Sequence, residues 1–195
     1  MKKSLFPLFF TFTFIYVSAI NLTTFHQVYS GYFNNYLVFK PDNYDSNNKY
    51  PLLFMLHGHG GDYKQWSEII DLQHYANQYN FIIVCPDGHY DSWYVDSPIL
   101  KESQFETYFF YTLVPDIFNN YKTDSANIFI TGLSMGGHGA INLFLNYPGF
   151  FESAGSTSGI LDLLPFPGNW GIKNVLGDQK NYYENWIKHS AIYNL

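Results

Sequence analysis

The chain has 195 residues, a formal charge of −6 and ten basic residues, all of them lysine. Phosphate and nucleic-acid surfaces rely on arginine forks, so a chain without arginine and with an acidic balance is not expected to have a nucleic-acid partner. Length and composition fit one globular domain with ample apolar residues for a core, and 21% of the residues are aromatic.

Lys2 and Lys3 precede an uncharged apolar stretch from Leu5 to Val17, and Val17-Ser18-Ala19 closes it with small residues. This is the layout of a secretory signal peptide, too short to span a bilayer comfortably, so residues 1–19 are expected to be removed after Ala19. A secreted or periplasmic address without a stable membrane anchor follows. No cysteine stands after the cleavage site to carry a lipid. Cys85 is the only cysteine and sits in an apolar run, so it reads as a buried, inert thiol.

Thr24 to Ser30 and Tyr36 to Lys40 read as an antiparallel hairpin. Residues 42–49 form a polar loop, and Pro51 to Leu56 a buried strand that ends in His57-Gly58-His59-Gly60-Gly61-Asp62. Trp66 to Tyr79 reads as a helix burying Trp66, Ile69, Ile70, Leu72 and Tyr75. Phe81 to Cys85 is a second buried strand, followed by Pro86-Asp87-Gly88-His89. Phe105, Phe109, Leu113 and Ile117 are four apart on a helix over 105–121, in which Pro115 should cause a kink.

The run Ile128 to Thr131 leads into Gly132-Leu133-Ser134-Met135-Gly136, and Ala140, Ile141, Phe144 and Leu145 then recur at helical spacing until Asn146-Tyr147-Pro148-Gly149. Gly and Ser also make ordinary turns. Strand, Gly-x-Ser-x-Gly and helix in that order are the context of a nucleophile elbow, in which a strained turn exposes the serine hydroxyl. Alternating strands and helices imply a mostly parallel sheet with helices on both faces. Ligands of such sheets sit beyond the carboxyl ends of the strands, where the segments at 57–62, 87–96 and Ser134 should converge.

Acyl transfer on Ser134 needs oxyanion donors. The N–H of Met135, next after the serine, and the N–H of His59 in the Gly-rich loop are the candidates. His57, His59, His89 and His138 match no zinc spacing, so no metal site is expected, and the His138 ring is expected to satisfy local backbone rather than act as base.

Leu56-His57-Gly58, Pro86-Asp87-Gly88 with Ser92-Trp93-Tyr94 and Asp96, and Gly132 to Ala140 together resemble the esterase family that includes esterase D (S-formylglutathione hydrolase), feruloyl and acetyl-xylan esterases, tributyrin esterases and the antigen 85 mycolyltransferases. The similarity runs from about Tyr32 to the end, including Ser158 to Leu163. It implies an α/β-hydrolase fold over 20–195 and hydrolysis of carboxylic esters without a cofactor. Ser134 would be the nucleophile, Met135 and His59 the oxyanion donors, and His57, Gly58, Trp93 and Tyr94 would lie at the substrate. Export and aromatic content tilt the substrate toward esters of plant polysaccharides or phenolics. The competing reading is a non-catalytic hydrolase-like protein presenting a carbohydrate-binding surface of Trp93, Tyr94 and nearby aromatics.

The triad order of this fold is serine, acid, histidine. Asp162, Asp178 and His189 follow Ser134 in that order, but no apolar strand precedes Asp178 or His189, and Trp170-Gly171 and Trp186 to Ser190 resemble the region before the family's last strands. The sequence therefore reads as an esterase domain incomplete at its C-terminus, without its catalytic acid and base, and with apolar sheet edge and helix faces exposed.

Overall fold

The computed structural model describes residues 25–29 and 32–194, with side chains from residue 35 onward. The proposed signal peptide lies outside the described residues. Among the described residues six strands, β1 (Phe25–Tyr29), β2 (Tyr32–Phe39), β3 (Tyr50–Leu56), β4 (Ile82–Pro86), β5 (Thr123–Leu133) and β6 (Ser153–Thr157), form one sheet in the order β1-β2-β4-β3-β5-β6. β1 and β2 form the expected hairpin, with β2 beginning at Tyr32 rather than Tyr36, and β2 runs antiparallel to β4. β4, β3, β5 and β6 are parallel neighbours.

Both faces of the sheet are covered, and the pleat sorts the residues between them. Leu52, Phe54 and Leu56 of β3, Ile82 and Val84 of β4, and Ile128 and Ile130 of β5 enter the larger core. Leu53 and Met55, with Ile83 and Cys85, point to the smaller one. Period-two alternation inside an almost wholly apolar run is what a sheet buried on both sides demands. Cys85 is buried, and burial raises its thiol pKa, as expected of an inert cysteine.

The smaller core is roofed by α1 (Gln65–Ile69) and α2 (Leu72–Tyr79), two helices where the sequence suggested one. Asp71 causes the break. Its carboxylate accepts the His74 N–H at 3.0 Å, an N-cap that starts a new helix in the middle of the expected one. The buried side shifts with it: Leu72 and Ala76 are inside, whereas Ile69 is 55% exposed and Tyr75 also faces out.

The larger core is roofed by α3 (Phe105–Tyr108), a π-helical turn (Phe109–Leu113), α4 (Val114–Asn120) and α5 (Met135–Asn146). Phe105, Phe109, Leu113 and Ile117 are all buried as their spacing implied. Instead of a kink within one α-helix, Pro115 stands in the first turn of α4, and the wider π turn precedes it. There the missing N–H is tolerated. The segment after β6 carries α6 (Ile172–Leu176), α7 (Tyr183–Lys188) and a 3-10 turn (Ala191–Tyr193). The sheet edge at β6 is Ser-Ala-Gly-Ser-Thr rather than the apolar edge expected from sequence.

Candidate active site

Ser134 joins β5 to α5 with φ 53° and ψ −112°, a conformation that side chains disfavour. Close packing holds it there. A Cβ on Gly132 would lie 2.1 Å from the Gly136 carbonyl oxygen, and one on Gly136 would lie 2.3 Å from that of Leu56. The first turn of α5 is thus pressed against the ends of both β5 and β3, and only glycine fits at the two contacts. The Ser134 N–H donates to the Thr157 carbonyl at the end of β6 (2.8 Å), and its own carbonyl accepts from the His138 N–H (3.0 Å).

The loop after β3 lies alongside. A Cβ built on Gly58 would be 3.7 Å from Ser134 Cβ, so the two residues face each other. The Gly58 N–H is held by Gln65 Oε1 (2.8 Å), and Trp66 Nε1–H donates to the Leu56 carbonyl (2.9 Å). Neither support is visible in the sequence, because a side chain returning to the loop before its own helix leaves no periodic trace. Gly61 N–H bonds the Gly58 carbonyl, Gly60 N–H bonds the Tyr90 carbonyl, and the His59 N–H makes no hydrogen bond among the described residues. Met135 supplies the first N–H of α5, which has no acceptor within its own helix.

Of the expected substrate-side residues, Gly58 faces Ser134, whereas His57, Trp93 and Tyr94 are placed differently. His57 is buried; Gly88 N–H donates to its Nε2 (2.8 Å), so the proton is on Nδ1, which donates to the Gly58 carbonyl (2.8 Å). Its ring joins two loops and offers no free nitrogen. Asp87 lies 3.6 Å from the same Nε2 and uses its carboxylate on the His89 N–H (2.8 Å). Trp93 and Tyr94 are 1% and 0% exposed. Tyr94 is wedged against Gly88 and Gly139, and its hydroxyl donates to the His57 carbonyl (2.9 Å). Trp93 Nε1–H donates to the Trp170 carbonyl (3.0 Å). Neither ring forms the carbohydrate-binding surface or the substrate contact expected of it, since both fill space behind the elbow. Tyr90 is an exposed aromatic beside the loop after β3, its ring meeting His59 edge-on at 4.8 Å.

No histidine ring among the described residues hydrogen-bonds the Ser134 hydroxyl. His138 bonds backbone as expected, but remote rather than local backbone: Nε2 is 2.8 Å from the His189 carbonyl and Nδ1 3.2 Å from that of Trp93. Burial lowers its pKa, against the raising effect of those carbonyls. His89 is also lowered, mainly by burial. His189 is buried with Nδ1 unpartnered, and burial, then Lys188 and His138, pull its pKa down to about 4. Asp162 and Asp178 accept the N–H two residues on, at 3.0 Å and 3.1 Å, and orient no histidine. Among the described residues no cluster of three metal-ligating side chains occurs.

Residues 34–194 match the model of the Esterase family (described as "Putative esterase"). Esterase Rv1288 of Mycobacterium tuberculosis is 33% identical over 128 residues, which are 63% of this chain and 28% of that protein. Feruloyl esterase B of Thermothelomyces thermophilus is 28% identical over 127 residues, 63% of this chain and 43% of that protein. The chain therefore spans less than half the length of either relative. The solved S-formylglutathione hydrolase of Agrobacterium tumefaciens superposes with a TM-score of 0.74 at 20% identity, covering 88% of this chain and 68% of that one. A mixed sheet with helices on both faces, a strained serine between β5 and α5, and a family match over most of the chain agree: the protein belongs to the Esterase family and has an α/β-hydrolase-like fold.

Proposed function

We propose that the protein is an exported serine carboxylesterase that forms an acyl-enzyme on Ser134, with esters of plant polysaccharides or phenolic acids as its substrate class. The observation that carries this reading is the backbone of Ser134, strained at φ 53° between β5 and α5. Strain of one to a few kcal/mol persists where the surroundings over-determine it, and such positions cluster at functional sites. In the proposed reaction the Ser134 oxygen adds to the ester carbonyl while a general base takes its proton and hands it to the departing alcohol oxygen. Among the described residues no histidine ring hydrogen-bonded to the Ser134 hydroxyl fills that role. The alcohol then leaves, and water releases the acid from the serine. The N–H groups of Met135 and His59, neither with a hydrogen-bond acceptor among the described residues, would receive the oxyanion, and each such donor contributes on the order of a hundredfold or more in rate. Tyr90, exposed and with its ring against His59, supplies aromatic surface for a phenolic or sugar ring. The relative named as a feruloyl esterase supports that substrate class. Removal of residues 1–19 after Ala19 belongs to the same proposal.

The test is covalent labelling with a fluorophosphonate probe followed by peptide mass spectrometry. Modification of Ser134, absent in Ser134→Ala, is expected. Folded wild-type protein that takes up no probe would favour a non-catalytic binding protein. Turnover of nitrophenyl acetate, methyl ferulate and acetylated xylan then ranks the substrates.

A further inference from the structure

His138 meets Ser134 through its main chain and two distant segments through its ring. Its N–H donates to the Ser134 carbonyl at 3.0 Å, closing the first turn of α5. Its imidazole, fully buried, stands between the Trp93 carbonyl in the loop after β4 (3.2 Å) and the His189 carbonyl at the end of α7 (2.8 Å). The Trp93 indole meets the same ring edge-on at 5.4 Å. Both flanking segments are themselves anchored. Trp93 Nε1–H donates to the Trp170 carbonyl, and Ser190, next to His189, donates to the Trp186 carbonyl (2.7 Å) and accepts the Leu163 N–H (3.0 Å).

We infer that His138 is a positioning residue: it fixes the first turn of the nucleophile helix, and so the direction of the Ser134 hydroxyl and the Met135 N–H, against the Trp93 loop and the chain at His189. A leucine or phenylalanine would fill the volume, but the two carbonyls are buried acceptors and the ring is the group that lies between them. A neutral imidazole donates to one carbonyl at a time, and the shorter contact assigns that bond to His189. Ser134 and Met135 must aim at one reacting carbonyl within a fraction of an ångström, and a misplacement of about 1 Å can cost roughly a hundredfold in rate.

The inference rests on Ser134 being the nucleophile, and the experiment separates the two. His138→Gln places an amide donor near the position of Nε2, His138→Asn near that of Nδ1, and His138→Leu supplies neither. Fluorophosphonate acylation of the full chain is followed to saturation for each folded variant, alongside Ser134→Ala, with hydrogen exchange of the amides. The limiting acylation rate is expected to fall about a hundredfold in the leucine variant and to recover most in the glutamine variant, while the probe concentration for half-saturation stays unchanged. Amides of 134–138, 93–95 and 189–190 should lose protection in the same order. If the leucine variant does not fold, the glutamine and asparagine variants decide by the same ranking. Equal acylation rates and equal protection in wild type and all folded variants would overturn the positioning role. If wild type takes up no probe, the nucleophile reading fails, and the exchange pattern alone upholds or refutes the brace.

Discussion

The Gly88 N–H donates to His57 Nε2 at 2.8 Å, so one buried imidazole ties the loop leaving β3 to the loop leaving β4. Its other nitrogen holds the Gly58 carbonyl. His57→Leu keeps the bulk but leaves a buried N–H without an acceptor, which costs about 1–3 kcal/mol. The urea midpoint of this variant is expected to fall accordingly, with His57→Gln intermediate because its amide oxygen can accept. An unchanged midpoint would mean that water replaces the ring at no cost.

The strain at Ser134 has a stability signature separate from activity. Glycine adopts φ 53° with ψ −112° far more readily than alanine does, so Ser134→Gly and Ser134→Ala should both lose acylation but differ in stability. The glycine variant is expected to be the more stable by about 1–3 kcal/mol at this position, read from denaturant midpoints. Glycine's larger unfolded-state entropy works against that gain by up to about 1 kcal/mol. A glycine variant less stable than alanine would show that the elbow is relaxed.

The sequence shows most plainly those features that a short window determines. β3, β4 and the second half of β5 announce themselves as apolar runs, and the elbow is legible because Gly132, Gly136 and Gly137 each have backbone packed against them and Gly139 has the Tyr94 side chain. Less legible is anything decided by a partner distant in the chain. The helix break at Asp71 is a capping choice inside an apolar stretch, and the π turn before Pro115 is set by packing. Short helices α6 and α7 carry too few turns for a periodicity to emerge. Trp93 and Tyr94 read as surface aromatics because they follow a strand end among polar residues. Their burial depends on Gly88, Gly139 and Trp170, between 6 and 77 residues away. His138 is the same case, its ring partners lying 45 and 51 residues off.

Glu106, in the first turn of α3, is buried and accepts a long hydrogen bond from Asn146 Nδ2 (3.4 Å). Burial foremost, and then the charge of nearby Asp96, raise its pKa above the ordinary 4.5, while the Asp96 main chain, Asn146 and Lys188 pull the other way. A raised carboxyl favours the fold while it is protonated, and that contribution is lost as pH climbs from 4.5 through the folded value. Glutamine copies the protonated acid at every pH. Glu106→Gln is therefore expected to match wild type near pH 4 and to become progressively more stable than it toward pH 8, by thermal melts across that range. A difference that does not change with pH would remove Glu106 from the titrating groups.

His189 sets the acid limit of the fold. Its folded pKa is about 4, lowered first by burial and then by Lys188 and His138, against an ordinary value of 6.5. His138, also lowered by burial, acts in the same direction. Between those values the unfolded chain holds a proton that the folded chain refuses, so stability is full above about pH 6.5 and falls as pH drops toward 4. At 1.36 kcal/mol per unit, the His189 part is on the order of 3 kcal/mol once pH reaches its folded value. His189→Leu replaces a buried ring whose Nδ1 has no partner and leaves intact the main-chain carbonyl that His138 uses. The variant is expected to equal or exceed wild-type stability at pH 7 and to gain on it steadily between pH 6.5 and 4, measured by urea midpoints at half-unit steps. Parallel acid slopes for the two proteins would show that the ring is solvated in the fold. Nitrophenyl acetate turnover on the same samples separates the other role open to this residue. A pKa near 4 makes His189 a weak proton acceptor at pH 7, so any turnover is expected to survive His189→Leu; hydrolysis by the 195-residue chain that is lost while the Leu protein stays folded would instead make His189 the base for Ser134.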